Sequence, residues 1–299
     1  MSRAPFSKVG PILAVLALIL VLWYLGAIWL NAAWTYDQAA RAGTVVGWRD
    51  IVFGAMGQQR PVLPPPHQVL GELWKGVTSF PVTSKKSLVH HGLVTLTATF
   101  WGFVFGTLLG VVMAVAITRS RTMELGLMPW AVISQTIPVV AIAPMIVVLS
   151  NSLGLGDYLG VENRLVSKTI IAAYLSYFPV LVGMIKGLRS PDPMQLDLLK
   201  TYSASESQGF VKLRLPASVP YLFASLKVGI AASLVGAIVG ELPTGAIEGL
   251  GARMLVGSQF GSPIMVWAAL FAAAILAGVL ILLVRLAESA VLKGMGMRG

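Results

Sequence analysis

Long apolar runs without charged residues alternate along the chain with shorter polar segments. A helix needs about 20 apolar residues to cross the hydrocarbon core of a bilayer. Six runs predict six transmembrane helices, at residues 9–30, 92–118, 125–156, 169–185, 220–240 and within 254–284. The last run is too long for one span, so we expect its first third to form a loop or a re-entrant piece. The first run exceeds the apolar core of a signal peptide, about 7–15 residues, which favours a retained helix.

The segment at residues 31–91, between the first two spans, is rich in proline. Pro61 and the three prolines at 64–66 predict a stiff extended stretch. Apolar residues then recur at helical spacing: Val69, Leu70, Leu73, Trp74 and Val77. They predict a short amphipathic helix on the outer membrane surface, with a docking surface for a soluble partner as the alternative. The predicted organisation is a transmembrane helix at 1–30, an extracytoplasmic linker with its amphipathic helix at 31–91, and a core of five transmembrane helices at 92–299.

Composition argues against a soluble domain, since 56% of the residues are hydrophobic and 11% are charged. Soluble proteins carry about a quarter charged residues. The net charge of +10 does not indicate nucleic-acid binding, because the basic residues flank the apolar spans and form no continuous stripe. Cytoplasmic loops of membrane proteins carry an excess of Lys and Arg. The charge distribution therefore predicts that both termini and the segment at residues 190–220 are cytoplasmic.

Several kinds of chemistry have no residues to support them. The chain has no cysteine, which excludes disulfides, thiolate catalysis and cysteine-ligated metals. His90 and His91 are adjacent and point apart on a helix, so they predict no metal site. The sequence has no G-x-x-x-x-G-K-[ST] phosphate-binding loop, so any ATP must bind to a partner. An intramembrane enzyme is disfavoured because paired intramembrane carboxylates are missing, and a lone secondary transporter because no internal repeat is visible.

Polar residues within the spans are candidates for a transport path. The candidates are Gln135, Thr136, Tyr174, Tyr177 and Glu241. Hydrogen bonding between helices is the alternative role for each of them. Glu241, at the outer end of the fifth span, could pair with Arg253 or meet a partner that delivers substrate.

The 190–220 segment is long and polar, and it predicts two short helices. The first covers about residues 193–202. The second is predicted to start at Ser203, because Glu206 three residues later completes a capping-box pattern. Pro216 and Pro220 are expected to set the start of the fifth span.

The same segment carries a sequence pattern. Leu213 stands two residues before Leu215-Pro216, while Asp197, Leu198 and Leu199 precede Ser203 at a fixed spacing. This resembles the cytoplasmic loop of type I ABC importer permeases, in which Glu-Ala-Ala is followed by Gly and later by Ile-x-Leu-Pro. In this sequence Asp197 replaces the Glu, Leu198 and Leu199 replace the two Ala, and Ser203 replaces the Gly. Residues 138–149 and 233–254 resemble the nitrate, sulfonate, taurine and pyrimidine-precursor permeases, and the likeness covers about residues 67–288.

The resemblance implies an all-α integral membrane fold with about six transmembrane helices and a coupling helix in the 190–220 segment. It implies a homodimeric, non-enzymatic permease subunit of an ATP-driven importer in the bacterial inner membrane, surrounded by membrane lipid. ATP and Mg would bind to a partner ATPase dimer, and an extracytoplasmic binding protein would deliver a small polar solute. A pyrimidine- or thiamine-precursor-like compound is the expected substrate. The alternatives are a nitrate-, sulfonate- or taurine-type anion importer and, less favoured, an intramembrane lipid-modifying enzyme.

Overall fold

The computed structural model describes residues 6–243 and 245–296, and the secondary structure of this part of the chain is helical. The helices are α1 (Phe6–Ala42), α2 (Trp48–Met56), α3 (Pro66–Thr78), α4 (Leu88–Arg119), α5 (Arg121–Ser134), α6 (Val139–Ser152), α7 (Leu155–Leu159), α8 (Asn163–Leu188), α9 (Pro193–Thr201), α10 (Glu206–Gly209), α11 (Leu215–Glu241), α12 (Leu250–Gln259) and α13 (Pro263–Gly294). A π-helical turn, Phe210–Arg214, joins α10 to α11.

Five helical stretches in the described residues are long and apolar enough to cross a membrane. They are Gly10–Ala42, Leu88–Arg119, Asn163–Leu188, Glu206–Glu241 and Pro263–Gly294. A sixth span is present if α5 and α6 are counted together as one broken span. The predicted all-α membrane fold with about six spans is therefore confirmed.

The third predicted span, at residues 125–156, is wrong as a single straight helix. The axes of α5 and α6 are bent by 102° at the break between them. Pro138 stands directly before α6 with an extended backbone, φ −61° and ψ 119°. Proline lacks the amide proton that would continue the helical ladder, and it disfavours helical backbone at the preceding Ile137. Pro129 and Pro144 lie inside the two helices, so Pro138 alone coincides with the break.

The segment after the first span contains more helix than expected. The first helix continues past residue 30 to Ala42, and α2 has no counterpart in the prediction. The amphipathic helix predicted after the proline run is present as α3, with Pro66 in its first turn. Proline is favoured in a first helical turn because its missing amide proton would be unpaired there anyway.

The last apolar run is divided, as expected from its length, into α12 and α13. In the 190–220 segment the predicted first helix is confirmed as α9. The start of the fifth span is earlier than predicted, because helix continues from α10 through the π-helical turn into α11. Pro216 occupies the first turn of α11 and Pro220 lies inside it, so neither proline interrupts the chain direction there.

The chain divides into two compact units. The first contains the described residues of Met1–Val89 with Arg253–Ala272, and the second those of His90–Ala252 with Ala273–Gly299. In the first unit the fully buried Asn31 ties the proline-rich stretch to α1. Its amide nitrogen donates to Leu63 O at 2.8 Å, and its amide oxygen accepts from Val62 N at 2.8 Å. Gln58 Nε2 donates to the backbone oxygen of Asn31 at 2.8 Å.

In the second unit, small residues allow α4 and α8 to approach closely. Gly102, Gly106 and Gly110 are spaced four residues apart along one stripe of α4. A Cβ atom at Gly110 would lie 2.6 Å from the backbone oxygen of Tyr177, and side chains at the other two positions would meet Ala172 and Ser176. In a membrane the hydrophobic effect does not drive helices together, so they associate through close packing, which small residues allow. The stripe holds the middle of α8, including Tyr177, against α4.

Candidate functional site

Helix α9 is short and has a defined beginning and end. Asp192 caps its start by accepting a hydrogen bond from Met194 N at 2.8 Å. At its end, Ser203 N donates to Lys200 O at 2.9 Å and Ala204 N donates to Leu199 O at 3.0 Å. This is the Schellman pattern, in which the residue after the helix takes a left-handed conformation. That residue is Ser203, with φ 54°.

The predicted start of the second short helix at Ser203 is wrong. The cap is Ser205, whose Oγ accepts from Gln208 N at 3.3 Å, while Gln208 Oε1 accepts from Ser205 N at 2.9 Å. Ser203 instead occupies the left-handed position that ends α9. It thus stands both in the sequence place and in the backbone conformation for which glycine is the usual residue.

One exposed stripe of α9 is apolar, although most of the other exposed positions of the helix are polar. Met194, Leu198 and Tyr202 follow one another at intervals of four residues, and they are 78%, 57% and 77% exposed. We name these three residues the α9 stripe. Asp197 is also exposed and pairs with Lys200 at 2.8 Å. Leu199 is half-buried and turned toward the pocket behind α9, so the predicted Asp-Leu-Leu set divides between two faces.

The remaining residues of the predicted pattern lie in continuous helix. Leu213 is half-buried within the π-helical turn, and Leu215 begins α11 with 39% of its surface exposed. Pro216 is half-buried in the first turn of α11. Single π-helical turns recur at functional sites in helical proteins.

The break between α5 and α6 gathers four polar side chains. The hydroxyl of Tyr174 donates to the backbone oxygen of Ser134, and the hydroxyl of Tyr177 is hydrogen-bonded to Ser134 Oγ. Gln135 Nε2 donates to the same Oγ at 3.3 Å. We name Ser134, Gln135, Tyr174 and Tyr177 the Ser134 cluster. Three of them were candidates from sequence; Ser134 was missed, although it stands beside Gln135 where the helix ends.

The other two predicted path residues form no hydrogen bond with the Ser134 cluster. Thr136 is exposed, and its Oγ1 donates to the backbone oxygen of Ile133 at 2.8 Å. Glu241 is fully buried at the end of α11. It has an ion-pair partner in the buried Lys168, with Nζ 3.8 Å from Oε1, where the sequence suggested Arg253.

Glu241 is held inside a polar network that fixes the turn after α11. Its carboxylate accepts from Thr95 Oγ1 at 2.8 Å and from Gly251 N at 2.7 Å. Gly249 has φ 127°, a conformation that L side chains rarely adopt, and a Cβ atom there would collide with the Glu241 carboxylate. Gly249 N donates to Nδ1 of His91 at 2.9 Å. The His91 ring therefore accepts at Nδ1 and carries its proton on Nε2.

His90 points to a different partner from His91, as adjacent helical positions require. Its Nε2 lies 3.2 Å from Glu248 Oε2. Across residues 6–243 and 245–296, no three or more His, Cys, Asp or Glu side chains are grouped so that they could hold a metal ion.

The profile of the family described as binding-protein-dependent transport system inner membrane component matches residues 106–296. An ABC transporter permease protein of Haemophilus influenzae is 36% identical over 173 residues, which cover 58% of this chain and 66% of the relative. The riboflavin transport system permease of Chloroflexus aurantiacus is 28% identical over 68% of this chain and 70% of its own length. The formylaminopyrimidine transport permease of Halalkalibacterium halodurans is 30% identical over 60% and 68%.

The aligned regions span about two thirds of the length of these relatives. The profile match runs from within α4 to the end of α13, so it includes the 190–220 segment, the α5–α6 break and the Ser134 cluster. This match covers more than half of the chain. Several apolar helices of membrane-spanning length agree with it. The chain therefore belongs to the family of binding-protein-dependent transport system inner membrane components, which are multi-pass permeases of ABC importers.

Proposed function

We propose that the α9 stripe docks on an ATPase subunit and transmits its movements to the transport path. The observation that carries this proposal is the exposure of Met194, Leu198 and Tyr202 on one face of a short, capped helix. Each exposed apolar residue of this kind gains about 1.5–3 kcal/mol when it is fully buried in a partner's groove. The Schellman end at Ser203 fixes the helix length, so the stripe is presented as a rigid surface.

The proposed assembly places ATP binding on a partner, because the sequence has no phosphate-binding loop. ATP and Mg bind to a partner ATPase dimer on the cytoplasmic side, where α9 lies. The permease works with a second copy of itself, and a soluble binding protein delivers the solute on the opposite side. Both termini are cytoplasmic in this arrangement, as the distribution of basic residues predicts.

The Ser134 cluster is proposed to line the path through the membrane. Non-helical backbone at membrane depth is tolerated where it lies in protein or lines a water-filled cavity, because lipid cannot pair its polar groups. In transporters such helix breaks commonly contribute to substrate sites. The α5–α6 break brings a serine hydroxyl, an amide and two phenol groups together at one such place.

The cluster suits a planar, uncharged heterocycle better than a small anion. The rings of Tyr174 and Tyr177 lie 6.3 Å apart, and Gln135 offers both an amide donor and an amide acceptor. The four residues include no Lys or Arg to balance an anionic group. Relatives named for riboflavin and for formylaminopyrimidine transport, two nitrogen heterocycles, support a pyrimidine- or thiamine-precursor-like substrate. A relative named for taurine transport keeps the sulfonate-type anion as the second candidate.

The docking proposal is tested by Leu198→Lys, which removes apolar burial and introduces a charge on the α9 stripe. Burial of an unpaired charge costs several kcal/mol, so the complex with the ATPase should be lost. We expect normal membrane levels, no co-purifying ATPase and no uptake. Leu159→Lys is the matched control, because Leu159 is an exposed leucine of α7 and is 67% exposed. Normal co-purification of the Leu198→Lys variant would contradict the proposal.

A further inference from the structure

A pocket lies behind α9, on the side opposite the α9 stripe. It has a volume of about 340 Å³ and is formed by the end of α4, by α9 and by the π-helical turn. Leu196, Leu199 and Phe210 supply its apolar lining. All of its lining residues belong to the second compact unit. Neither the docking surface nor the Ser134 cluster uses this space.

Three cationic side chains line the pocket together with one carboxylate. Arg119, Lys200 and Arg214 are the cations, and Glu206 is the acid. Lys200 is already paired with Asp197. The guanidinium of Arg119 stacks 5.3 Å from the ring centre of Phe210 and donates to Ser207 Oγ at 3.4 Å. Its stacking holds the group in place while leaving other N–H donors available.

Arg214 is the unusual member of this set. Its side chain is half-buried and forms no hydrogen bond, ion pair or ring contact with any other described residue. A guanidinium without such contacts has its N–H donors available to a ligand. Arginine binds phosphate through two parallel N–H bonds, which a planar guanidinium presents in a fixed geometry. Arg214 and Arg119, which line the same pocket, could therefore both donate to one anionic phosphate group.

The pocket's position favours a phosphate that belongs to a lipid. Arg119 is the last residue of a membrane-spanning helix, and Arg214 lies in the first turns of another. The proposed orientation places both of these helix ends on the cytoplasmic side, where basic pockets bind anionic headgroups. Apolar Leu196, Leu199 and Phe210 beside the cations match the junction between a headgroup and its glycerol and acyl chains.

We propose that this pocket binds the phosphate group of an anionic phospholipid, such as phosphatidylglycerol. The proposal rests on the cytoplasmic orientation given under the proposed function. A bound headgroup would contact α9 from behind, at Leu199 and Lys200, while the α9 stripe faces the ATPase. Lipid composition would then act on the same helix that couples ATP hydrolysis to transport.

Native mass spectrometry of the purified full-length chain tests this, with phosphatidylglycerol and phosphatidylcholine added separately in detergent. We expect phosphatidylglycerol to bind in preference to phosphatidylcholine. Arg214→Gln should weaken phosphatidylglycerol binding about fivefold, which corresponds to one basic residue near an anionic headgroup. Lys212→Gln removes the same charge from an exposed position that does not line the pocket, and it should bind like the wild type. Arg214→Lys keeps the charge and should retain part of the affinity.

Three results would overturn the proposal. Equal binding of both lipids by the wild type would remove any role for headgroup charge. Equal losses in Arg214→Gln and Lys212→Gln would indicate a general surface effect. Displacement of phosphatidylglycerol by micromolar inorganic phosphate would assign the pocket to a free anion. Lipid binding is measured on the chain without its ATPase, so these results do not depend on docking through Leu198. Co-purification of the ATPase with the Arg214→Gln variant is a separate measurement and tests only the docking proposal.

Discussion

Ser203 shows how one residue sets the shape of α9. Among the described residues it alone combines a side chain with a positive φ, 54°. A left-handed conformation costs a residue other than glycine about 1–2 kcal/mol. The two Schellman hydrogen bonds from Ser203 and Ala204 offset part of that cost. The α9 stripe therefore ends at a strained residue, directly after Tyr202.

Among the described residues, Lys168 and Glu241 form the most deeply buried charge pair. Lys168 is 5% exposed and Glu241 is not exposed at all. Removing one member leaves the other charge buried without compensation, which costs about 3–5 kcal/mol in proteins where this has been measured. Replacing both by apolar groups of similar shape removes that penalty.

We therefore expect Glu241→Leu alone to lower the thermal stability of the detergent-solubilised protein strongly. The double change Lys168→Met with Glu241→Leu should recover part of that loss, because no lone charge then remains buried. A double-mutant cycle on the midpoints of unfolding measures the coupling between the two positions. Additive effects of the two changes would show that the 3.8 Å approach of Nζ to Oε1 contributes nothing.

At the scale of helices, the apolar runs predicted the spans because length and hydrophobicity are local properties of the sequence. The local sequence could not decide whether Ser203 or Ser205 caps the second short helix. Residues 203–208 contain two overlapping capping boxes, one ending at Glu206 and one at Gln208. The second prevails in the structure, and Ser203 is then free to close α9.

Other features depend on contacts between distant residues, which the sequence pattern does not contain. Thr95 binds the carboxylate of Glu241 from another helix, and neither residue has a neighbour in sequence that signals this. The glycine spacing at Gly102, Gly106 and Gly110 is visible in the sequence, but the sequence does not show that α8 is the helix that packs against it. The α5–α6 break could have been inferred from Pro138, yet the uninterrupted apolar run favoured a single span.

The Ser134 cluster makes a prediction for these helices. Tyr174→Phe removes the hydroxyl that donates to Ser134 O, and Gln135→Ala removes the amide that donates to Ser134 Oγ. Each change also removes a polar group that the proposed path offers to an uncharged solute. One such hydrogen bond is worth about 0.5–1.5 kcal/mol, so uptake should fall severalfold. Association with the ATPase should not change.

Thr97→Val is the matched control for this experiment. Thr97 is exposed on α4, and its Oγ1 bonds only to the backbone of its own helix, at Leu93. Its replacement should leave uptake unchanged. Wild-type uptake by both Tyr174→Phe and Gln135→Ala would place the transport path elsewhere and reduce the cluster to a structural contact.

For the whole molecule, the arrangement of the spans decides whether α9 can meet an ATPase at all. Counting α5 and α6 as one broken span gives six crossings, and an even number places both termini on the same side. If α5 and α6 instead form a re-entrant loop, five crossings remain and the termini lie on opposite sides. The end of α1 and α9 are the decisive markers. If the α5–α6 break crosses the membrane, three crossings separate them and they lie on opposite sides. If it re-enters, two crossings separate them and they lie on the same side.

Cysteine labelling distinguishes these arrangements without a background signal, because the chain has no cysteine. Thr83 lies after α3 and Gln195 lies on α9; both are exposed, and neither side chain takes part in a cap. With the N-terminus cytoplasmic, Thr83→Cys should react with an impermeant maleimide in intact cells, and Gln195→Cys only after permeabilisation. Residues 83 and 195 on the same side would mean that α5 and α6 re-enter without crossing. Gln195→Cys would then face away from the cytoplasm, and docking of the α9 stripe on an ATPase would be excluded.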